Sequence, residues 1–561
     1  MKDLLGFAED YNEYAEREQK SYTHLTDKKQ RVVDYAKELK HSVIDKTIMF
    51  LSNDGYGMGE IPKAILMMLD ENPDFDDYKR IIFIRNKNRI KRMKREGFRG
   101  KHYHYELLQK GWSSEFYYWM ARARYLIVDG ALPSVYVPRK EQTYIQASFL
   151  YTGLSQGYQQ SMRYTVRSMP YIKSFMAADY IISPSDLYTK EILCDAYRLK
   201  DSYTGGVVTC QFPVVEYLAG NTDKQISRKT GLRKKKSKKE VLVIGSEQHN
   251  AIEIARNLVQ LSQDGSMKDY QFYYKPCQKE ITTVIKWFQE RGEENVRLVL
   301  EQADMLPWIQ RCDVVVSDYN TNLFYAIDME KPVVLLDIAA RQNLQTESMK
   351  KILHDNVLQA NNREQLKQCI VDAKPSKRKA VEELFAGKEN SSVILDILSG
   401  KEYPGEKLTK EEKERICFVV SMGHITKDVL GPWKQQLSIV LKQMLQQGKD
   451  VSLFCDEPDS DSVLTEIEQV VPHNVRVLYR IAERVMTEQE MIDSSYLIRN
   501  LAFSEDAKAS LSQVDMELNQ RDLKRSIGNC QFDKVIFAGP FSAKFVILTK
   551  AMQKKWRNWL L

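Results

Sequence analysis

The stretch VVVSDYNTNLFYAIDMEKPVVLL, Val314 to Leu336, holds a dense set of side chains suited to binding phosphate. A β-branched run, VVVS, delivers Asp318, Asn320, Thr321 and Asn322 to its carboxyl end, and a helix is expected to start near Asn322. Free backbone N–H groups and the dipole at a helix start favour an anion. Taken alone, these residues are more simply a helix cap. YYKPCQ, Tyr273 to Gln278, puts Lys275 at a strand end, where an ammonium pairs with phosphate as a point charge. Cys277 is a nucleophile only if its surroundings acidify it; no base adjoins it in sequence, so it reads as a buried thiol. TYIQASFLYTGLSQG, Thr143 to Gly157, is a short extended run ending on Gln146, with Phe149 and Tyr151 beyond it. The eight histidines are scattered. His102 and His104 share a strand face or a surface loop, His249 ends GSEQHN, and His424 follows a strand in SMGH. Any of these has the chemistry of a general base, and each reads more simply as a surface or loop histidine.

The elements that must position these residues are legible as an alternation. KTIMFLSND, YKRIIFIRN, ARYLIVDG and TYIQASFL read as strands, and GYGMGEIPKAILMMLDEN as a Gly-rich turn entering a helix. GYGMG lacks the GxGxxG spacing of a dinucleotide fingerprint. MAADYIISPSDLYTKEIL adds a strand and a helix capped by Ser or Asp. After the basic run RKTGLRKKKSKK, Arg228 to Lys239, the alternation restarts and runs to about residue 400. The expected fold is α/β: a pair of Rossmann-like lobes with ligands beyond the carboxyl ends of their strands. ERICFVVSMGH, DVSLFCDE, VRVLYR and FDKVIFAG then predict one more α/β unit, without a matching partner after it. The expected boundaries are an N-terminal helical segment over 1–46, a first lobe over 47–227, a basic linker over 228–240, a second lobe over 241–400 and the additional unit over 414–561.

Composition excludes several classes. With 561 residues, 43% hydrophobic and 28% charged, the chain is an ordinary globular protein of several units. Eight cysteines without CxxC pairing or zinc-ligand spacing suggest free thiols in a reducing cytoplasm and no metal site. The N-terminus carries acids where a signal peptide is apolar, and no run of about 18 apolar residues exists to span a membrane. Lys and Arg total 83 against 76 Asp and Glu, and they concentrate at Arg85–Lys101 and Arg228–Lys239. Such runs are solvated faces or attract phosphate on anionic lipid or polymer. No nucleic-acid recognition motif accompanies them, so no nucleic-acid partner is expected. The end KKWRNWLL reads as a surface helix or an interfacial patch.

The order of these pieces resembles the CDP-glycerol glycerophosphotransferase family of teichoic-acid polymerases and primases, over roughly residues 47–400. Residues 414–561 look like the N-terminal half of a second GT-B glycosyltransferase. The resemblance implies a membrane-associated bacterial enzyme of GT-B fold. The family's Tyr-Ile-Gln-Thr-Trp-His is answered by Tyr144, Ile145, Gln146, Ala147, Ser148 and Phe149, so phenylalanine holds the histidine position. Lys-Pro-His-Pro becomes Lys275, Pro276, Cys277 and Gln278. Gly-Tyr-Pro-Arg-Asn-Asp becomes Gln211, Phe212, Pro213, Val214, Val215 and Glu216, without the arginine. Thr-Asp-Tyr-Ser-Ser becomes Ser317, Asp318, Tyr319, Asn320 and Thr321, and a following Phe-Asp becomes Phe324 and Tyr325.

The resemblance implies that one family histidine deprotonates the acceptor hydroxyl and the other helps hold the donor phosphates. Neither is present here, and losing a general base costs about 10²–10⁴-fold in rate. The expected donor-phosphate set is Lys275, Asp318, Asn320, Thr321 and Asn322, with Gln146 and Tyr151 on the acceptor side. His249 and Glu216 are the candidates for a replacement base. Two readings stay open. One is a transferase moving a polyol phosphate or sugar from CDP-glycerol or another nucleotide donor to a cell-surface polymer or lipid-linked acceptor. The other is a silent GT-B scaffold that binds a partner glycosyltransferase, an anionic glycopolymer or the inner face of the plasma membrane. The lost histidines predict weak or no nucleotide binding.

Overall fold

The apolar run IDKTIMFL becomes β1 (Ile44–Leu51), buried along its second half because helices cover both faces of a parallel sheet. A computed structural model describes residues 11–21, 25–108, 112–149, 151, 155–211, 223–231, 238–246, 250–292, 295–299, 305–336, 352–353, 357–408, 413–420, 427–456, 461–480, 484–500 and 505–537. The first sheet also holds β2 (Lys79–Ile84), β3 (Tyr103–Leu107), β4 (Ala123–Val128), β5 (Thr143–Gln146), β6 (Tyr180–Ser183) and β7 (Gly206–Thr209). Its order is β3-β2-β1-β4-β5-β6-β7, all parallel. KHYHYE, open between strand and loop from sequence, forms the edge strand β3.

The second sheet comprises β8 (Lys239–Ile244), β9 (Tyr270–Lys275), β10 (Val296–Leu298), β11 (Val314–Ser317), β12 (Val333–Leu336) and β13 (Leu358–Ala360), in the order β10-β9-β8-β11-β12-β13. Both sheets reverse winding direction once, between β1 and β4 in the first and between β8 and β11 in the second. In open α/β sheets this switch point opens a crevice beyond the strand ends. Past the second lobe the chain crosses back. Glu406 bridges Val207 antiparallel and Glu389 bridges Cys210, which covers the exposed edge of β7.

The third sheet, β14 (Arg415–Val420), β15 (Asp450–Asp456), β16 (Arg476–Arg480) and β17 (Lys534–Phe537), is ordered β16-β15-β14-β17. It docks on the first lobe with its strand starts. The Asn529 N–H donates to Met176 O at 2.7 Å, Gln531 N–H to Ser202 O at 2.9 Å and Arg476 Nε to Arg198 O at 2.8 Å. The Tyr158 hydroxyl donates to Val477 O at 2.7 Å. Gly528 is in the left-handed region at φ 52°, and a Cβ there would lie 2.3 Å from Met176 O, so only glycine allows this approach.

The predicted N-terminal helices form and dock on different units. α1 (Tyr11–Ser21) packs Tyr14 against Ile492 and Tyr496 of the third unit, while α2 (Asp27–Glu38) lies against α5 (Ser114–Arg122) of the first lobe. Tyr11 Oη donates to Asp493 at 2.5 Å and Tyr14 Oη to Ser495 Oγ at 2.7 Å. A buried ion network joins the third unit to the first lobe as well. Arg525, in the helix Glu505–Ile527, donates to Asp522 Oδ1 at 2.6 Å and to Ser134 O at 2.7 Å, and Arg480 closes on the other carboxylate oxygen.

Candidate functional site

A cleft of about 380 Å³ opens at the β1/β4 switch point and faces the second lobe. Three loops at strand ends build its first wall. After β1, Ser-Asn-Asp-Gly is turn chemistry, and Asn53, Asp54 and Gly55 all adopt left-handed φ of 46°, 49° and 80°. Asn and Asp tolerate that region better than other side-chain-bearing residues, and such strain concentrates at functional sites. After β4 comes Asp129, and after β5 come Ala147 and Phe149. Arg89 of α4 (Lys87–Glu96) completes this side. The second lobe contributes Lys275 from the end of β9, Met305, and Asn322 from the helix Thr321–Asp328.

Asp129 is held from two directions. Ser52 Oγ donates to Oδ2 at 2.5 Å, and the Asn53 N–H donates to Oδ1 at 2.7 Å. Ser52 Oγ in turn accepts the N–H of Gly59, the cap of α3 (Glu60–Glu71), at 2.5 Å. A Cβ on Gly59 would stand 2.3 Å from Asp129 Oδ2, so the backbone approach requires glycine. Burial pushes the Asp129 carboxyl up from 3.8 to about 6 against the pull of Ser52 and Asn53, and Asp54 adds to the rise. Burial also raises Asp54, with Arg85 opposing. A folded-state pKa above the unfolded one means that the stability contributed is present below about pH 4 and is lost as pH rises through 6. Ionised Asp129 is therefore a cost to the fold at neutral pH.

The residues anticipated from sequence divide between cleft and support. Lys275 and Asn322 line the cleft. Asp318 is fully buried; its carboxylate accepts from the Ser246 N–H at 2.6 Å and from Asn320 Nδ2 at 2.7 Å, tying β8 to β11 across the second switch point. Asn320 caps the helix, its Oδ1 accepting the Asn322 N–H at 2.9 Å. Thr321 Oγ1 donates across the lobes to Phe149 O and Tyr151 O at 3.4 and 3.5 Å. Gln146 is buried and donates to Gly130 O at 2.9 Å. Tyr151 is buried and donates to Glu191 at 2.8 Å. Burial pushes the Cys277 thiol up, and its Sγ faces Glu280 at 3.6 Å. His102 and His104 belong to the edge around β3, with His104 Nε2 2.5 Å from Glu106. His249, Glu216 and His424, like the run Phe212–Val215, lie outside the described residues.

Phe149 does face the cleft, and its ring belongs to an interlobe cluster. Its centroid is 5.4 Å from Tyr188, 5.9 Å from Tyr325 and 5.8 Å from Phe385, and Tyr325 stacks on Phe385 at 6.0 Å and 19°. Tyr151 meets Phe324 edge-on at 5.1 Å. Two positions that would carry His and Asp by the resemblance, 149 and 325, thus touch each other as aromatic rings. Sequence reasoning passed over Asp129 and Asp54. The available signal was an acid just past a strand, one residue on in ARYLIVDG and three on in MFLSND.

No curated protein sequence matches the chain. Among solved structures, the wall teichoic acid polymerase TagF, in a histidine variant soaked with CDPG, matches at a TM-score of 0.50 and 16% identity over 70% of this chain and 97% of that one. TagF without those changes gives 0.48 and 16%, over 69% and 96%. The lipopolysaccharide glycosyltransferase WaaG gives 0.36 and 11%, over 63% and 100%. The first of these likenesses carries the fold, a two-lobed GT-B arrangement. The sequence profile of the CDP-Glycerol:Poly(glycerophosphate) glycerophosphotransferase family matches residues 34–342, more than half of the chain. The protein belongs to the CDP-glycerol:poly(glycerophosphate) glycerophosphotransferase family.

Proposed function

We propose that the interlobe cleft binds a nucleotide-linked polyol phosphate of the CDP-glycerol type and transfers the polyol phosphate to an acceptor hydroxyl in cell-surface glycopolymer synthesis. One observation carries this reading. The cleft sets cationic and amide groups, Lys275 and Asn322, on the second lobe opposite carboxylates, Asp54 and Asp129, on the first. Phosphate needs the former, and a hydroxyl nucleophile needs the latter. The cleft volume of about 380 Å³ suits one small nucleotide. Family membership supports a nucleotide donor and a polymer acceptor in general terms. The solved relative soaked with CDPG supports that donor class for the fold.

Isothermal calorimetry with CDP-glycerol, CMP and UDP-sugars tests the reading. CDP-glycerol is expected to bind, though weakly because both family histidines are replaced, and Lys275→Ala to weaken it about 10–100-fold further, the worth of one hydrogen bond to a charged group. No binding of any nucleotide by the intact chain would sink the transfer reading.

The aromatic cluster favours the second reading, a scaffold that binds a partner enzyme or an anionic surface. It replaces polar chemistry with ring contacts that hold the lobes together. α4, whose Arg89 lines the cleft, exposes Lys87, Lys91, Lys94 and Arg95, and its Arg92 donates to Lys229 O at 2.7 Å. α4 thereby touches the described start of the second basic run at Lys229, and its own exposed cations form a face suited to anionic polymer or to the lipid headgroups of the inner plasma-membrane face. Among the described residues no helix is long and apolar enough to cross a membrane.

A further inference from the structure

We infer that Asp129 is the general base of this cleft, taking the acceptor proton that a histidine at position 149 no longer takes. The inference rests on the transfer reading. Among the described residues that line the cleft, the carboxylates are Asp54, Glu60 and Asp129. The Asp129 carboxylate is fixed by two donors, one of them a hydroxyl itself fixed by a backbone N–H. A base oriented by a further group is one of the arrangements that activate a nucleophile. Each carboxylate oxygen retains a lone pair beyond the bond it accepts. Asp129 also follows the strand next to β5, so it stands beside Ala147 and Phe149, where that strand opens into the cleft.

The step balances. The acceptor hydroxyl gives its proton to an Asp129 oxygen while its own oxygen bonds to the glycerol-bearing phosphorus. The bond from that phosphorus to the bridging oxygen breaks, and CMP leaves with the electron pair and the oxygen. Lys275 and Asn322 face the charge that collects on the leaving phosphate. Proton transfer from a positioned base is worth about 10²–10⁴-fold.

The pH response of Asp129 depends on the groups around it. Asp54 comes from the loop after β1, Glu60 from the start of α3, Arg89 from α4, Tyr144 from β5 and Lys275 from the second lobe. Burial and Asp54 push the carboxyl towards about 6, so it is a free base at neutral pH with a proton affinity matched to the task.

The test measures kcat and KM for CDP-glycerol against pH in the intact chain and three variants, with binding followed separately by calorimetry. D129N is expected to lose about 10²–10⁴-fold in kcat with CDP-glycerol affinity kept. Its thermal midpoint at pH 8 should equal or exceed that of the parent, because a buried charge is removed. A merely structural carboxylate would lower that midpoint. S52A should move the acidic limb of the rate profile to higher pH and D54N to lower pH, because one removes a donor and the other a neighbouring charge. Turnover by D129N within about threefold of the parent overturns the inference and leaves donor binding standing, given the 10²–10⁴ expected of a base. An acidic limb unmoved in both S52A and D54N also overturns it. Failure of the parent chain to bind CDP-glycerol overturns the transfer reading and this inference with it.

Discussion

Asp522→Ala is expected to lower the stability of the chain by about 3–5 kcal/mol, the cost of leaving a buried charge without its partner. Asp522 is 3% exposed and lies between two guanidiniums. Arg480 Nε approaches Oδ2 at 2.5 Å, and Arg525 Nε and Nη2 approach Oδ1 at 3.0 and 2.6 Å. Burial alone would raise the Asp522 carboxyl, but the Arg525 and Arg480 charges outweigh it and hold the carboxyl below its usual range. A depressed carboxyl contributes stability that is present at neutral pH and lost as pH falls through its folded-state value. Removing it strands Arg480 and Arg525 together in a dry site. Arg525 also donates to Ser134 O, five residues past Asp129, so the damage reaches the loop that leaves the cleft. Thermal and urea unfolding measure the loss, and limited proteolysis should cut first within 414–537. An unchanged midpoint would refute the account. Replacing all three residues by Met and Leu should recover much of the loss, since apolar groups of similar size often replace buried ion pairs without cost.

Phe149 gives the second large effect, with an opposite meaning at the two substitutions that probe it. Phe149→Ala removes the ring that touches Tyr188, Tyr325 and Phe385 at once, and with it an apolar contact between the lobes. Fully buried Phe→Ala changes cost about 3–5 kcal/mol; Phe149 is half-buried, so about 2–3 kcal/mol is expected. Phe149→His restores the residue type implied by the resemblance, and turnover is expected not to rise. The imidazole would enter a shell of Tyr151, Tyr188, Tyr325 and Phe385, which disfavours its charged form. None of these four is a carboxylate that could orient it, and position 325, where the resemblance implies Asp, is tyrosine. A gain of about 10²–10⁴-fold in turnover would show that the histidine alone was missing, and that the cleft lacks another base.

Much of the fold was legible because buried parallel strands are written as unbroken apolar runs: VVVS, KEVLVI and RICFVV became β11, β8 and β14. β13, three residues on a sheet edge with Leu358 exposed, has too little burial to leave such a run. The candidate site was half legible. Lys275 and Asn322 were found because strand ends and helix starts are local signals. Gln146 was expected at the cleft. Yet Ala147 and Phe149, just past the end of β5, line it, while Gln146 and Ser148 do not. Asp129 went unnoticed because its value depends on β4 lying next to β1, a long-range fact. The aromatic seam needs Phe149, Tyr325 and Phe385 together, and nothing local links residues that far apart.

The docking of α1 on the third unit sets an order of events during synthesis. Tyr11 and its partner Asp493 are 482 residues apart along the chain. At about 5–20 residues per second, a ribosome needs roughly 25–100 s to make the second after the first. Throughout that interval the amphipathic helix that emerges early has Tyr11 and Tyr14 without their native cover, and the third unit is the last of the three sheets to be completed. Nascent chains arrested before residue 488 should therefore recruit holdase chaperones to α1, and full-length chains should release them when the third sheet closes.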